Sequence, residues 1–173
     1  MNSTEQNRSQ FEAILWDCDG VLIDSEWISC SYGADIFTKH GVPISTKEFI
    51  RLFCGASASK ADTYFREKSG KDLWDIIDRQ KYNENKYAAF RQDLEEIKGI
   101  KELLNFPHCP TKMAVASGSD PERLNLTLKI TGLYERFLPH IYSAELVDNG
   151  KPAPDIYLYA ADKLNVEPQR CLV

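Results

Sequence analysis

The feature that most constrains the fold is a set of short apolar segments, each adjoining a small polar turn or loop. They lack the strict alternation of apolar and polar residues that marks a sheet with one solvated face. Segments of this kind are typical of strands buried on both faces of a parallel sheet. The predicted strands are Phe11–Trp16, Met113–Ala116, His140–Ser143 and Cys171–Val173.

The later strands alternate with segments that carry helix start and stop signals. Asp120 can cap a helix that has Pro121 in its first turn and ends near Gly132. Pro154 and Asp155 precede a second apolar segment of helical spacing. Alternation of strand and helix predicts an α/β fold with a doubly wound, Rossmann-like parallel sheet.

Residues 26–92 interrupt this alternation with helical patterns alone, predicting an all-α insertion directly after the first strand and its turn. Its predicted features are a helix over Glu26–His40, a capping box at Ser45–Glu48, a cap at Ser57 and a helix over Leu73–Phe90. The predicted organisation is therefore a disordered leader (1–10), an α/β core (11–25 and 93–173) and a helical cap (26–92).

Composition excludes several classes of protein. The 173 residues carry a net charge of −5, whereas nucleic-acid binders normally present a basic field. The chain has no apolar run of about 18 residues, so we expect no membrane span. Five cysteines without a CxxC pair fit reduced thiols better than a disulfide framework or a zinc site. We therefore expect a cytoplasmic protein.

Two acidic residues, Asp17 and Asp19, follow the first predicted strand directly. When a tight turn breaks the strand, both carboxylates can face one cavity, where their charge needs a cation or a shared proton. Mg²⁺ suits such a site because it prefers oxygen ligands and retains water for a substrate phosphate. An ordinary surface turn is the alternative interpretation of Asp17–Gly20.

Two further groups follow later strands. Ser117, Gly118 and Ser119 lead into a helix N-terminus, where hydroxyl and backbone N–H groups can bind phosphate. Lys151 follows the third predicted strand and can neutralise a transferring phosphoryl group. An ordinary strand-to-helix turn and a solvated surface lysine are the alternatives. The fixed order of acid pair, hydroxyl and lysine at strand ends favours a phosphoryl-transfer site.

Three segments resemble the signature motifs of the haloacid dehalogenase superfamily. Ile14–Glu26 resembles the first motif, Ala114–Ser119 the second and Gly150–Tyr157 the third. The similarity covers residues 11–173. Within the superfamily, the chain resembles the small phosphatases and β-phosphoglucomutase-like enzymes that carry a helical cap after the first motif. The resemblance implies an enzyme that acts on a small phosphorylated metabolite.

The same resemblance implies a role for each motif residue. Asp17 would be the nucleophile that forms an aspartyl-phosphate and binds Mg²⁺. Asp19 would be the general acid and then the base, with its backbone carbonyl on the metal. Ser117 would hold a phosphate oxygen, and Lys151 would stabilise the nucleophile and the phosphoryl charge. The dehalogenases lack an aspartate at position 19, so a phosphoryl-transfer enzyme fits better.

The predicted cap favours a phosphatase over a β-phosphoglucomutase-like phosphosugar mutase. Where the mutases carry polar substrate-binding side chains, this chain has Ser29, Cys54 and Ala58. Residues 24–26 and Cys30 resemble the corresponding residues of bacterial sugar-phosphate phosphatases, 6-phosphogluconate phosphatase among them, more than those of the mutases. Candidates for binding a remote acidic group of the substrate are Arg51 and Lys60, with solvated helix residues as the alternative.

The fourth motif of the superfamily, an acidic pair that completes the Mg²⁺ site, would follow Val173. We therefore expect a sheet that is incomplete at its C-terminal strand, which pairs with the first strand. We also expect weak Mg²⁺ binding and little activity from the 173 residues as printed. A catalytically inactive binding or regulatory protein is the alternative from another class.

Overall fold

The computed structural model describes residues 11–56, 58–106 and 112–173. The predicted leader, the predicted cap at Ser57 and the thiol of Cys109 lie outside the described residues. Two compact units make up the chain. The sheet unit is Met1–Leu22 with Ile97–Val173, and the helical unit is Ile23–Glu96. The helical unit begins three residues before and ends four residues after the predicted insertion of 26–92.

The strands are β1 (Ala13–Trp16), β2 (Lys112–Ser117), β3 (Ile141–Ser143) and β4 (Cys171–Leu172). The helices of the helical unit are α1 (Ser25–Lys39), α2 (Thr46–Phe53), α3 (Ala58–Ser69), α4 (Leu73–Ile76) and α5 (Arg79–Asp93). Those of the sheet unit are α6 (Ile100–Leu104), α7 (Pro121–Ile130), α8 (Tyr134–Phe137) and α9 (Asp155–Lys163). Single 3₁₀ turns lie at Ala144–Leu146 and Pro168–Arg170.

The four strands form one parallel sheet in the order β3-β2-β1-β4. This arrangement confirms the predicted α/β class, and β4 pairs with β1 as expected. In β2 every residue after Lys112 is buried, as expected for a strand covered on both faces. A core packs between the sheet and α9, with Leu15, Ile156 and Ala160 almost fully buried. Because the strands are parallel, their carboxyl ends lie along one edge of the sheet.

Local signals fix the ends of the sheet-unit helices. The Asp120 carboxylate accepts a hydrogen bond from the backbone N–H of Arg123 at 2.8 Å, so it caps α7 as predicted. Gly132, just beyond α7, adopts a positive φ of 73°, which a residue with a Cβ rarely adopts. The Asp120 cap therefore determines where α7 begins, close to the end of β2, and Gly132 favours its end.

Phenylalanine rings dominate the core of the helical unit. Phe37, Phe49, Phe53 and Phe65 contact one another edge to face, with ring centroids 4.7 to 6.1 Å apart. Gly33 of α1 faces this cluster so closely that a Cβ there would lie 2.5 Å from Cζ of Phe49. The close approach of α1 and α2 therefore depends on the missing side chain at Gly33.

The predicted helix over Leu73–Phe90 is wrong, because the structure has two helices there. Ile77 is extended (φ −124°, ψ 144°), and α5 begins only after Asp78. The Asp78 carboxylate accepts a hydrogen bond from the backbone N–H of Lys81 at 2.7 Å. An aspartate competes well for exposed N–H groups at a helix start, so the chain restarts a helix here instead of continuing one.

The two ends of the helical unit lie side by side. Ile23 and Glu96 form an antiparallel bridge, and the backbone N–H of Asp24 donates to the carbonyl of Glu95 at 3.0 Å. The described residues include no helix of the length and apolarity that crossing a membrane requires. The four cysteines that the structure describes are free thiols.

Candidate active site

The side chains predicted from the strand ends meet at the carboxyl edge of the sheet. Asp17 follows β1, Ser117 ends β2, and Ser143 ends β3. Lys151 lies in the loop between β3 and α9 and forms an ion pair with Asp17. Ligands bind to open α/β sheets at this edge. The structure therefore brings together the predicted residues of all three motifs.

Asp17 forms an ion pair with Lys151. Nζ of Lys151 lies 2.8 Å from Oδ1 of Asp17, and the backbone N–H of Cys18 donates to the same oxygen at 2.7 Å. Among the described residues, none is hydrogen-bonded to the other carboxylate oxygen, Oδ2. The Asp17 side chain is 40% exposed. One oxygen is thus held in place while the other remains available for chemistry.

The aromatic ring of Tyr157, on α9, lies close to Lys151. Nζ lies 4.8 Å from the centre of the Tyr157 ring. Burial disfavours the charged ammonium, but the interactions with Asp17 and Tyr157 outweigh it and raise the pKa of Lys151. The lysine is therefore a fixed positive charge beside Asp17.

Asp19 accepts hydrogen bonds on both carboxylate oxygens. Nη2 of Arg123 donates to Oδ1 at 2.7 Å, and the hydroxyl of Ser119 donates to Oδ2 at 2.7 Å. The side chains of Asp19 and Arg123 are only 25% and 21% exposed, so solvent screens this ion pair less than a surface pair. The carboxylate is held from two sides.

The Ser117–Ser119 loop is tied to neighbouring strands. The buried hydroxyl of Ser117 accepts from the backbone N–H of Ser119 at 3.0 Å. The hydroxyl of Ser143 donates to the carbonyl of Ser119 at 2.7 Å. Gly118 between the two serines is exposed, and a Cβ there would meet no atom within 4 Å. The loop is thus anchored at both serines and open at its glycine.

Sequence reasoning missed three members of this cluster: Arg123, Ser143 and Tyr157. A signal for Arg123 was present. It lies in the first turn of α7, where a cation is disfavoured by the positive end of the helix dipole. A basic residue at that place is better tolerated beside an acid, and Asp19 supplies one. No comparable signal marks Ser143 or Tyr157, because serine and tyrosine are common at such positions.

Cys18 lies between the two aspartates but is fully buried. Burial raises the pKa of its thiol far above the ordinary value, and the charges of Asp19 and Asp17 raise it further. The protonated thiol is a poor nucleophile. Cys18 therefore acts as a packing residue between the acids.

The two predicted substrate-binding cations belong to the helical unit. The Arg51 side chain is 75% exposed and lies 4.0 Å from the Glu48 carboxylate. Nζ of Lys60 donates to the carbonyl of Leu52 at 2.8 Å. Arg51 is the more available of the two for an anionic ligand, because the ion pair that it forms with Glu48 is long and solvated.

The donors available to a metal at the site are hard oxygens. Within the ranges 11–56, 58–106 and 112–173, no three His, Cys, Asp or Glu side chains cluster as a metal site of protein ligands alone would require. Mg²⁺ is commonly held by one or two carboxylates with water and substrate phosphate. The Asp17 carboxylate and the backbone carbonyl of Asp19 are oxygen donors of the kind that this mode uses.

The comparison with family models agrees with this geometry. The model described as haloacid dehalogenase-like hydrolase matches residues 11–173. The chain belongs to this family. A solved haloacid dehalogenase-like protein of unknown function from Agrobacterium tumefaciens is 32% identical. The chain covers 72% of that structure, 93% of this chain is matched, and the TM-score is 0.80.

Two curated relatives of this haloacid dehalogenase-like hydrolase differ in how much of their own length the chain spans. Protein SUPPRESSOR OF QUENCHING 1 of Arabidopsis thaliana is 30% identical over 93% of this chain, which spans 16% of that protein. The 6-phosphogluconate phosphatase of Escherichia coli is 25% identical over 95% of this chain, which spans 74% of that enzyme. Membership of the family, together with the similarity to 6-phosphogluconate phosphatase, supports the assignment of this chain as a phosphatase.

Proposed function

We propose that this chain is a Mg²⁺-dependent phosphomonoester hydrolase that acts on a small sugar phosphate through an aspartyl-phosphate. The observation that carries the proposal is the 2.8 Å ion pair between Asp17 and Lys151 at the carboxyl end of β1, beside Asp19. A nucleophilic carboxylate, a fixed cation and a second carboxylate are the groups that phosphoryl transfer through a covalent intermediate requires.

In the first step an Asp17 carboxylate oxygen bonds to phosphorus while the bond from phosphorus to the ester oxygen breaks. Asp19 in its protonated form gives its proton to that leaving oxygen, and the sugar departs as an alcohol. In the second step Asp19, now a carboxylate, takes a proton from water as the water oxygen bonds to phosphorus. The Asp17–phosphorus bond breaks, and inorganic phosphate is released.

The other residues of the edge bind and orient the phosphoryl group. Lys151 neutralises part of the charge on Asp17 and on the phosphoryl oxygens. The hydroxyl of Ser117 and the backbone around Gly118 and Ser119 would bind the remaining oxygens at the start of α7. Asp17 and the backbone carbonyl of Asp19 would hold Mg²⁺, which supplies charge neutralisation when bound.

Phosphate release from a panel of phosphorylated metabolites tests the proposal. We expect hydrolysis of hexose and sugar-acid phosphates with Mg²⁺ present, at the low rate predicted from the sequence, and loss of turnover on adding EDTA that excess Mg²⁺ reverses. The 6-phosphogluconate phosphatase among the relatives supports the choice of substrates. Formation of an isomeric sugar phosphate without free phosphate would instead show a mutase, and no reaction with any ester would contradict the proposal.

The Arg51→Ala substitution tests the predicted contact with a remote anionic group. We expect KM for an anionic sugar phosphate such as 6-phosphogluconate to rise about fivefold, as for a lost ion pair of about 1 kcal/mol. KM for a generic phosphomonoester whose alcohol part carries no charge should not change. The matched control is Lys47→Ala, which removes an exposed cation from the same helix. Equal effects of Arg51→Ala on both esters would refute the assignment.

A further inference from the structure

We propose that Arg123 is the positioning residue for Asp19, holding its carboxylate in the orientation from which it exchanges a proton with the substrate. This inference rests on the proposed function, since Asp19 acts there as acid and base. Arg123 lies outside the three motifs and 104 residues from Asp19 in the sequence. Its contact with Asp19 is a product of the fold.

The geometry fixes the carboxylate by two independent hydrogen bonds. Arg123 binds Oδ1 and Ser119 binds Oδ2, each at 2.7 Å. One hydrogen bond would still allow the carboxylate to rotate about its side-chain torsions. Two donors on different oxygens, from β2's loop and from α7, leave a single orientation that satisfies both.

The two residues that donate to Asp19, Arg123 and Ser119, are themselves held by hydrogen bonds of their backbone. The backbone N–H of Arg123 donates to the Asp120 carboxylate at 2.8 Å, which fixes the first turn of α7. Ser119 is held by its own N–H on Ser117 and by its carbonyl, which accepts from Ser143. The two donors to Asp19 therefore sit on backbone that cannot easily move, as a positioning role requires.

The placement of Arg123 also argues against an incidental surface contact. A cation in the first turn of a helix opposes the positive end of the helix dipole. The guanidinium is mostly buried, where an unpaired charge would be costly. The ion pair with Asp19 offsets both terms. In return, Arg123 sets the direction of the Asp19 side chain at the edge where the reaction is proposed to take place.

The dependence on the leaving group separates positioning from a general structural role. A sugar alkoxide is a poor leaving group and needs the proton of Asp19, whereas p-nitrophenolate leaves without one. The ratio kcat/KM reports the first irreversible step, the transfer to Asp17, in which this difference arises. Loss of positioning therefore affects the two esters unequally, and loss of structure affects them equally.

The experiment measures kcat/KM of the full chain for glucose 6-phosphate and p-nitrophenyl phosphate. For Arg123→Leu we expect a fall of about 10- to 100-fold with the sugar phosphate and less than about threefold with the aryl ester. Arg123→Lys, which keeps the charge and one donor, should recover part of the loss. The matched control is Lys129→Leu, a cation at the other end of α7 that contacts Tyr134. Equal losses with both esters, or no loss, would overturn the proposal.

A second measurement tests, without measuring turnover, whether Arg123 positions Asp19. In a crystal structure of Arg123→Leu, or of Arg123→Lys if the first variant does not fold, we expect the Asp19 carboxylate to leave Ser119. Retention of the 2.7 Å bond to Ser119 in the unchanged orientation would overturn the proposal. If the unchanged chain hydrolyses neither ester, the proposed function fails, and the position of Asp19 in the variant still decides whether Arg123 positions it.

Discussion

Replacing Asp17 by Asn is expected to abolish turnover, with phosphate release falling by roughly 10⁴-fold or more, as when a covalent nucleophile is removed. The amide keeps the shape of the side chain but cannot attack phosphorus as a carboxylate does. It also removes the negative partner of Lys151, 2.8 Å away. Phosphate release from the best substrate of the panel measures the loss, and binding of beryllium fluoride as a phosphoryl mimic should disappear with it.

The control for this substitution is Asp24→Asn. Asp24 is an exposed acid at the start of α1, seven residues further along, and its side chain does not cap the helix. Turnover and beryllium fluoride binding should both survive in that variant. Phosphatase activity retained by Asp17→Asn, with the same substrate and Mg²⁺, would remove Asp17 as the nucleophile and with it the aspartyl-phosphate.

The second large effect that we expect is that of replacing Lys151 by Met. Turnover should fall by about 10²- to 10³-fold, as for the loss of one preorganised charge at a reacting centre. Methionine keeps most of the length and the apolar contact with the Tyr157 ring, so the loss should fall mainly on kcat. Steady-state kinetics with the sugar phosphate, together with a thermal unfolding curve, separates lost chemistry from lost stability.

Lys163→Met is a closely matched control for that experiment. Lys163 is the last residue of α9, and its Nζ lies 5.0 Å from the centre of the Tyr159 ring, much as Nζ of Lys151 lies 4.8 Å from that of Tyr157. Its acidic neighbour is Asp162 on the surface, at 3.6 Å. This variant should keep full turnover. A comparable fall in the two variants would show that Lys151 contributes packing and not charge at the reacting centre.

The strands and their edge could be predicted because their signals are local. Apolar segments followed by Asp17 and Ser117 placed the strand ends, and parallel pairing then brought the motif residues together. The capping pattern at Asp120 gave the start of α7 for the same reason. Local sequence carries this information because burial and helix capping depend on only a few neighbouring residues.

The contact between Arg123 and Asp19 was beyond prediction. Arg123 and Asp19 meet only after β1 and β2 have paired, and no local pattern states which acid a helix-terminal arginine will reach. Ser119 was expected to bind phosphate, but its hydroxyl donates to Asp19 in the structure. Its part in phosphate binding stays a prediction. The break at Asp78 was missed because apolar residues on both sides kept a helical spacing through it.

The bridge between Ile23 and Glu96 has a consequence for how the chain folds. Pairing of β1 with β2 requires closure of a loop that contains the whole helical unit. Once that unit has folded, its two ends are already side by side, so the remaining loop is a few short segments. Loop-closure entropy scales with the logarithm of length, which makes the later pairing easier by roughly 1 kcal/mol. Folding of the inserted helices before the sheet would therefore speed the assembly of the catalytic edge.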